Sequence, residues 1–179
     1  MPIEKEILAK YMNPIFIETG TGKGKTTQKA LELGFKKIYT IEIDPGLYME
    51  ALNKFNEDIV RVMFGDSTNL LPEILKEVNE QCTIWLDAHI QSGVKKADSP
   101  CPLIEEVKII SNHPIKTHTI LIDDRRLLST VRWSNVTEDM IKKAIFNINP
   151  GKYKIVYQDG IVKGDIIVGL PIIEKEKKK

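Results

Sequence analysis

The sequence has few cysteines, no long apolar run and no excess of charge of either sign. Its two cysteines, Cys82 and Cys101, form no CxxC pair, and its start lacks an apolar signal core, which together predict a reduced, cytoplasmic setting. No apolar run approaches the ~20 residues that span a bilayer, so no membrane partner is expected. Lys and Arg number 26 against 25 Asp and Glu, and a net charge of +1 provides no field to hold a phosphate backbone. A dedicated nucleic-acid binder is therefore not indicated.

The composition is that of an ordinary globular domain. Of the 179 residues, 42% are hydrophobic and 28% are charged, which disfavours a disordered, fibrous or coiled-coil chain. Because no internal repeat or linker interrupts the sequence, we predict a single domain over residues 1–173 and a charged tail at 174–179. A homodimer stays an open alternative.

Short β-rich runs alternate with amphipathic stretches along the whole chain. Five runs have the pattern of strands buried on both faces, which implies a parallel sheet: 14–18, 37–42, 59–64, 82–87 and 117–123. Four helical patterns connect them by right-handed crossovers: 25–33, 47–55, 70–78 and 103–111. A leading helix at 4–11, a helix near 138–146 and two last strands at 153–158 and 165–170 complete the pattern. The sequence thus predicts a doubly wound, three-layer Rossmann-like α/β fold whose mostly parallel seven-stranded sheet ends in an antiparallel hairpin.

The most informative segment is a glycine-rich loop directly after the first strand. It reads Glu18-Thr-Gly20-Thr-Gly22-Lys-Gly24, and a helix opens at about Lys25. Glycines allow positive φ and carry no Cβ, so the backbone can pass under a ligand while the helix N-terminus offers free N–H groups. The alternative is plain tight-turn chemistry. Because an acidic residue ends the second strand roughly 20 residues after the first glycine, as in dinucleotide sites, a nucleotide-like ligand is predicted.

The same segment also resembles a phosphate-binding P-loop. Lys25 and Thr26 follow the last glycine as a P-loop requires, but three residues instead of four separate the outer glycines. Thr19 stands where the first glycine of that pattern belongs. On this alternative, Lys23 and Lys25 would bind phosphate and the protein would be an NTP-binding protein.

Acidic residues at the strand ends favour a different ligand. Glu18, Glu42 and Asp66 follow or end the first three predicted strands, whose carboxyl ends form one rim in a doubly wound sheet. Three carboxylates would repel a triphosphate, whereas a ligand with a sulfonium, an amine, a ribose diol and an exocyclic amino group matches them. The sign of the charge therefore argues against the P-loop.

These motifs resemble the first three motifs of the class I S-adenosylmethionine (SAM)-dependent methyltransferases, and the likeness extends over roughly residues 15–170. The resemblance implies these cofactor-binding residues: Gly20, Gly22 and Glu18 at the methionine end, Gly24 in the same loop, Glu42 at the ribose, and Asp66 with Ser67 at the adenine. Asp44, which precedes Pro45, is instead predicted to be a helix N-cap.

A second acidic group follows the fourth and fifth predicted strands. Asp87 comes after strand four, and Asp123 with Asp124 after strand five, so all three are expected at one rim. Oxygen-only ligation of this kind suits Mg²⁺. The pattern is similar to the metal site of the cation-dependent, catechol- and macrocin-type O-methyltransferases, in which the metal orients and acidifies a substrate hydroxyl. The alternative is structural: the aspartates cap loops and Asp124 pairs locally with Arg125.

The sequence therefore predicts metal-assisted O-methyl transfer from SAM to a small hydroxylated acceptor, a sugar or a phenol. His89 and Asp87 are the predicted catalytic residues, with His89 as the base. A module that binds the cofactor without turnover stays open, because fold does not fix function.

Three further regions receive a prediction. Residues 90–102 are polar and rich in Ser, Gly and Pro, so we expect a flap beside the site. Residues 127–135, with Arg132 and Trp133, are a second candidate for a wall of the substrate pocket, although Trp133 fits a core position equally well. His113 and His118 are expected to be ordinary surface residues.

Overall fold

Seven strands form one mixed sheet in the computed structural model, which describes residues 3–88 and 101–173. The parallel strands are β1 (Ile15–Thr19), β2 (Lys37–Glu42), β3 (Val60–Phe64), β4 (Cys82–Leu86) and β5 (Thr119–Ile122), and the antiparallel pair is β6 (Tyr153–Gln158) and β7 (Ile166–Pro171). Their order is β3-β2-β1-β4-β5-β7-β6. The predicted doubly wound α/β fold with a C-terminal antiparallel hairpin is thereby confirmed. His89, most of the 90–102 loop and the 174–179 tail lie outside the described residues.

Six helices are present in the described part of the chain: α1 (Lys5–Ala9), α2 (Lys25–Leu33), α3 (Pro45–Lys54), α4 (Ser67–Glu77), α5 (Leu103–Asn112) and α6 (Glu138–Ile148). No helix among these residues is long and apolar enough to cross a bilayer. Helix α4 begins three residues before its predicted start because its first turn is polar and set by a cap: the Asp66 carboxylate accepts from the backbone N–H of Thr68. Asp44 caps α3 in the same way, with Pro45 in the first turn, which confirms its predicted role.

The sheet separates two apolar cores. The larger core lies against α4, α5 and α6 and contains Leu71, Val107 and Ile145. The smaller core lies on the other face, where α1 and α2 cover the β1, β4 and β5 residues Phe16, Trp85 and Leu121. Burial on both faces explains the nearly continuous apolar composition of β1, β4 and β5.

Strand register brings the functional loops to one level. Thr19 at the end of β1 lies opposite Ile41 of β2 and Leu86 of β4, and Leu86 in turn lies opposite Ile122 of β5. The glycine-rich loop, Glu42, Asp87 and Asp123 therefore emerge side by side at the carboxyl edge of the sheet. Ligands bind at this edge in doubly wound folds.

The opposite edge of the sheet holds a buried histidine pair. The sequence predicts surface positions for His113 and His118, and this prediction is wrong: they are 7% and 0% exposed. His118 Nδ1 accepts from the Cys82 N–H at 3.0 Å, which leaves its Nε2–H to donate to His113 Nδ1 at 2.8 Å. His113 Nε2 lies 3.2 Å from the Val78 carbonyl oxygen, to which it donates. One hydrogen bond joins the two rings, and the backbone groups of Cys82 and Val78 pair with their remaining nitrogens. These backbone partners are distant along the chain, so local polarity does not indicate the burial.

Burial lowers the pKa of His118 to about 4, with the neighbouring His113 adding to the effect. We expect the free energy of unfolding to fall as the pH drops from about 6.5 towards 4, because the unfolded chain binds a proton that the folded chain excludes, with a limiting slope of about 1.4 kcal/mol per pH unit. Chemical denaturation of the wild type and His118→Asn across this range checks the prediction. The variant should be less stable at neutral pH but less sensitive to acid; parallel pH profiles would contradict the prediction.

Candidate active site

The glycine-rich loop after β1 has the backbone that its composition predicts. Gly20, Gly22 and Gly24 all have positive φ, of 84°, 53° and 65°. A Cβ on Gly20 would lie 2.4 Å from the carbonyl oxygen of Asp87, so the loop after β1 directly contacts the end of β4. Only glycine fits this position.

Most donors of the loop are engaged within the protein. The N–H groups of Gly20 and Thr21 donate to the Ile41 carbonyl at 2.9 and 3.1 Å, and that of Gly24 donates to Thr21 at 2.8 Å. Gly22 donates to the Glu42 carboxylate at 2.7 Å. A P-loop directs such N–H groups at phosphate oxygens. The geometry therefore disfavours the P-loop alternative.

Glu18 lies beneath this loop rather than on its surface. Its side chain is buried, and one carboxylate oxygen accepts hydrogen bonds from the hydroxyls of Thr27 in α2 and, at 2.7 Å, Thr40 in β2. Burial raises the pKa of Glu18 to about 8; the two threonines oppose this shift and the charge of Asp87 adds to it. These hydrogen bonds join β1 to β2 and α2. The role at the methionine end stays a prediction.

Glu42 is the acid that shapes the rim. Besides accepting from Gly22 through Oε2, it accepts through Oε1 from the N–H groups of Ile43 and Asp44, both at 2.9 Å. One carboxylate thus fixes the glycine-rich loop and the turn after β2. Since a carboxylate offers about four acceptor positions, capacity is left for a ribose hydroxyl.

Asp66 and Ser67 begin α4 at the end of β3. The Asp66 Oδ1 atom accepts from the N–H and the hydroxyl of Thr68, at 2.8 and 2.7 Å. Ser67 is buried as the first residue of the helix. The cap thus fixes Asp66 and Ser67, the two residues predicted to contact adenine, at the same rim as Glu42.

The second acidic group differs from the predicted one. Within residues 3–88 and 101–173, one set of three carboxylates has oxygens within 4.8 Å of one another, namely Asp123, Asp124 and Asp165. Asp87, half-buried after β4, is not part of this set. Asp165 precedes β7, and the antiparallel pairing of β7 with β5 brings its carboxylate close to Asp123 and Asp124. The predicted metal site, which used only the ends of β4 and β5, does not include this residue.

A guanidinium already pairs with two of these carboxylates. Arg126 Nη1 lies 2.5 Å from Asp124 and bonds to Asp165, whose other oxygen accepts from the Arg126 backbone N–H at 3.0 Å. The alternative prediction of a local pair between Asp124 and Arg125 is wrong in its partner: Arg126 pairs with Asp124, and Arg125 pairs with Glu138 at 2.7 Å. Oxygen donors suit Mg²⁺, but a resident cation competes for two of the three ligands. The set therefore does not fit the predicted metal site.

Two residues behind the rim complete the site. Trp133 is 2% exposed and packs in the larger core, in agreement with the core alternative. Glu106 of α5, which the sequence analysis does not single out, is 1% exposed and faces the hydroxyls of Ser67 and Thr19. Burial raises the pKa of Glu106 to about 7 despite these hydroxyls. An acid on an amphipathic helix indicates a solvated face, so local sequence gives no signal for this residue.

The contact between Gly20 and Asp87 gives a test of the loop geometry. We expect Gly20→Ala to lower the free energy of unfolding by about 1–3 kcal/mol more than Gly34→Ala, since overpacking adds to backbone strain. Gly34 is the matched control: its φ is 82° and a Cβ there would meet nothing within 4 Å. Denaturant unfolding of both variants measures the difference, and equal losses would show that the loop moves freely away from β4.

No protein-family model matches the chain. Two curated relatives, the ribosomal RNA small subunit methyltransferase A of Prochlorococcus marinus strains AS9601 and MIT 9312, are 35% identical over 80 residues. This segment is 44% of the chain but spans only 28% of either relative's length.

Solved structures match over nearly the whole chain. SMU.1697c of Streptococcus mutans, in complex with S-adenosylhomocysteine (SAH), has a TM-score of 0.66 at 14% identity, over 93% of this chain and 94% of that one. The O-methyltransferase TomG of Streptomyces achromogenes, in complex with SAM, has a TM-score of 0.65 at 14% identity, over 93% and 77%. The O-methyltransferase of Bacillus cereus, in complex with SAH, has a TM-score of 0.62 at 12% identity, over 93% and 78%. The chain therefore has the fold of the class I SAM-dependent methyltransferases.

Proposed function

We propose that this protein is a SAM-dependent methyltransferase. The observation that carries the proposal is the Glu42 carboxylate, which locks the glycine-rich loop and lies at the rim where the β1, β2 and β3 ends meet. The loop's donors are satisfied internally and the rim is acidic, which favours an uncharged or cationic ligand over a triphosphate. SAM/SAH is also the ligand of the three solved structures with this fold described above.

The cofactor-binding roles are proposed residue by residue. Gly20, Gly22 and Gly24 let the backbone approach the ligand, Glu42 accepts from the ribose hydroxyls, and Asp66 with Ser67 faces the adenine. When bound, SAM supplies a methyl group on a positively charged sulfur. The protein's own contribution is to hold donor and acceptor in line and to accept the proton that the acceptor loses.

For the acceptor, we propose a small hydroxylated molecule, which makes the reaction an O-methyl transfer. Asp87, half-buried at the end of β4, and His89 after it are the proposed catalytic groups. Asp123 lies nearby, and burial with the charge of Asp87 raises its pKa to about 7, which suits proton exchange at neutral pH. The proposed reaction includes no metal, because Arg126 already pairs with Asp124 and Asp165 beside Asp123.

A ribosomal RNA acceptor is the second candidate, and the two curated relatives are the observation in its favour. The acidic rim and the net charge of +1 count against it, since a polyanion needs a cationic surface. Incubation of the protein with labelled SAM and either total RNA or pooled small metabolites separates the two candidates. Label in neither fraction, with SAH still bound, would indicate a cofactor-binding module without turnover.

Glu42→Ala tests the cofactor site. We expect this change to raise the dissociation constant of SAH by about 10- to 150-fold, because hydrogen bonds to a charged group contribute about 1.5–3 kcal/mol. Calorimetry with SAH and, separately, with Mg·ATP measures both affinities. Tight binding of Mg·ATP that is lost in Lys25→Ala would instead establish the P-loop.

Arg126→Met tests whether the Arg126 guanidinium takes the place of a metal ion between Asp124 and Asp165. We expect the free energy of unfolding to fall by about 3 kcal/mol, at the low end for a broken buried pair because the guanidinium is partly exposed. Thermal unfolding with and without Mg²⁺ provides the measurement. Stabilisation of the wild type by Mg²⁺ as large as that of the variant would contradict the assignment of Arg126.

A further inference from the structure

A small cavity lies behind the rim, between the end of β4 and the start of α5. Its carboxyls come from Asp87 and Glu106, and its apolar walls include Leu86, Leu103 and Trp133. Neither lysine nor arginine is among the described residues that line it. The cavity has room for about one polar head group, with apolar surface around it.

Glu106 gives this cavity an unfilled hydrogen-bonding position. The carboxyl is 1% exposed, and its Oε1 atom accepts no hydrogen bond from the described residues. A buried acceptor without a hydrogen bond destabilises the folded protein. A ligand that donates a hydrogen bond to Oε1 removes this destabilisation, whereas a fully ionised phosphate or carboxylate has no proton to donate.

The cavity adjoins the candidate cofactor site through Asp87. The Asp87 N–H donates to the Thr19 carbonyl at 3.0 Å, and the Asp87 carbonyl oxygen contacts Gly20 of the glycine-rich loop. Glu106 itself faces Thr19 at the end of β1 and Ser67 at the start of α4. A molecule in the cavity would therefore be separated from the cofactor loop by a single residue.

We propose that this cavity binds the head group of the methyl acceptor, a hydroxyl or amino group, with Glu106 Oε1 as its hydrogen-bond acceptor. The proposal rests on the proposed methyltransferase function and narrows it: two carboxyls and an apolar wall select a neutral or cationic small molecule. A phosphate group at this position is disfavoured because the carboxyls repel it.

Three probes that differ only in their head group test the proposal: benzyl alcohol, benzylamine and benzyl phosphate. Each is titrated into SAH-saturated protein, and binding is followed by NMR chemical shifts, with Trp133 as a reporter in the cavity wall. We expect the alcohol or the amine to bind at least tenfold more tightly than the phosphate. A preference between these two identifies the head group.

Two variants of Glu106 separate its hydrogen bond from its charge. Glu106→Leu removes the acceptor and should weaken both the alcohol and the amine at least tenfold, whereas Glu106→Gln keeps an acceptor oxygen and should weaken mainly the amine. Glu105→Leu is the matched control, since Glu105 is exposed on the same helix and should leave all affinities unchanged. The affinity for SAH and the unfolding midpoint establish that each variant is folded.

The failures are distinguishable. If SAH does not bind, the proposed function fails. If SAH binds but no probe does, or if benzyl phosphate binds as tightly as the others, the acceptor site is overturned and the cavity holds only water. Equal probe affinity in the wild type and Glu106→Leu also overturns it.

Discussion

The interaction on which the rest of the site depends is the one between the Glu42 carboxylate and three backbone N–H groups. It joins the loop after β1, through Gly22, to the turn after β2, through Ile43 and Asp44. Charge-assisted hydrogen bonds to a nearly buried carboxylate are stronger than those between neutral groups, and here they orient two loops together. The same oxygens retain acceptor capacity, so one group both builds the rim and is the proposed partner of the ribose hydroxyls.

The site also concentrates buried acids. Glu18, Glu106 and Asp123 each have a raised pKa, and in each the first cause is burial at the carboxyl edge of the sheet. Groups of this kind destabilise the protein by themselves, and such costs cluster where a ligand is bound. A ligand with positive charge or hydrogen-bond donors offsets part of this destabilisation when it binds. The buried acids therefore lower the stability of the free protein and raise its affinity for such a ligand.

Sequence and structure agree where the signal is local. The strand pattern, the glycine-rich loop and the Asp44 cap all follow from nearby residues and their backbone requirements. Disagreements arise where the partner is distant along the chain: Asp165 joins Asp124 because β7 pairs with β5, and the His113–His118 pair is buried because the backbone of Cys82 and Val78 completes its hydrogen bonds. Polar residues in such pairs have the local appearance of surface residues.

The packing of Gly20 against the Asp87 carbonyl has a consequence for how this fold could change its chemistry. With no space for even a methyl group between the two loops, a side chain at position 20 strains the contact between them. The start of α5 and the segment around Trp133 bound the neighbouring cavity. Under the proposed function, residues 101–106 and 131–136 are therefore the positions at which substitutions would change the choice of acceptor while the glycine-rich loop stays unchanged.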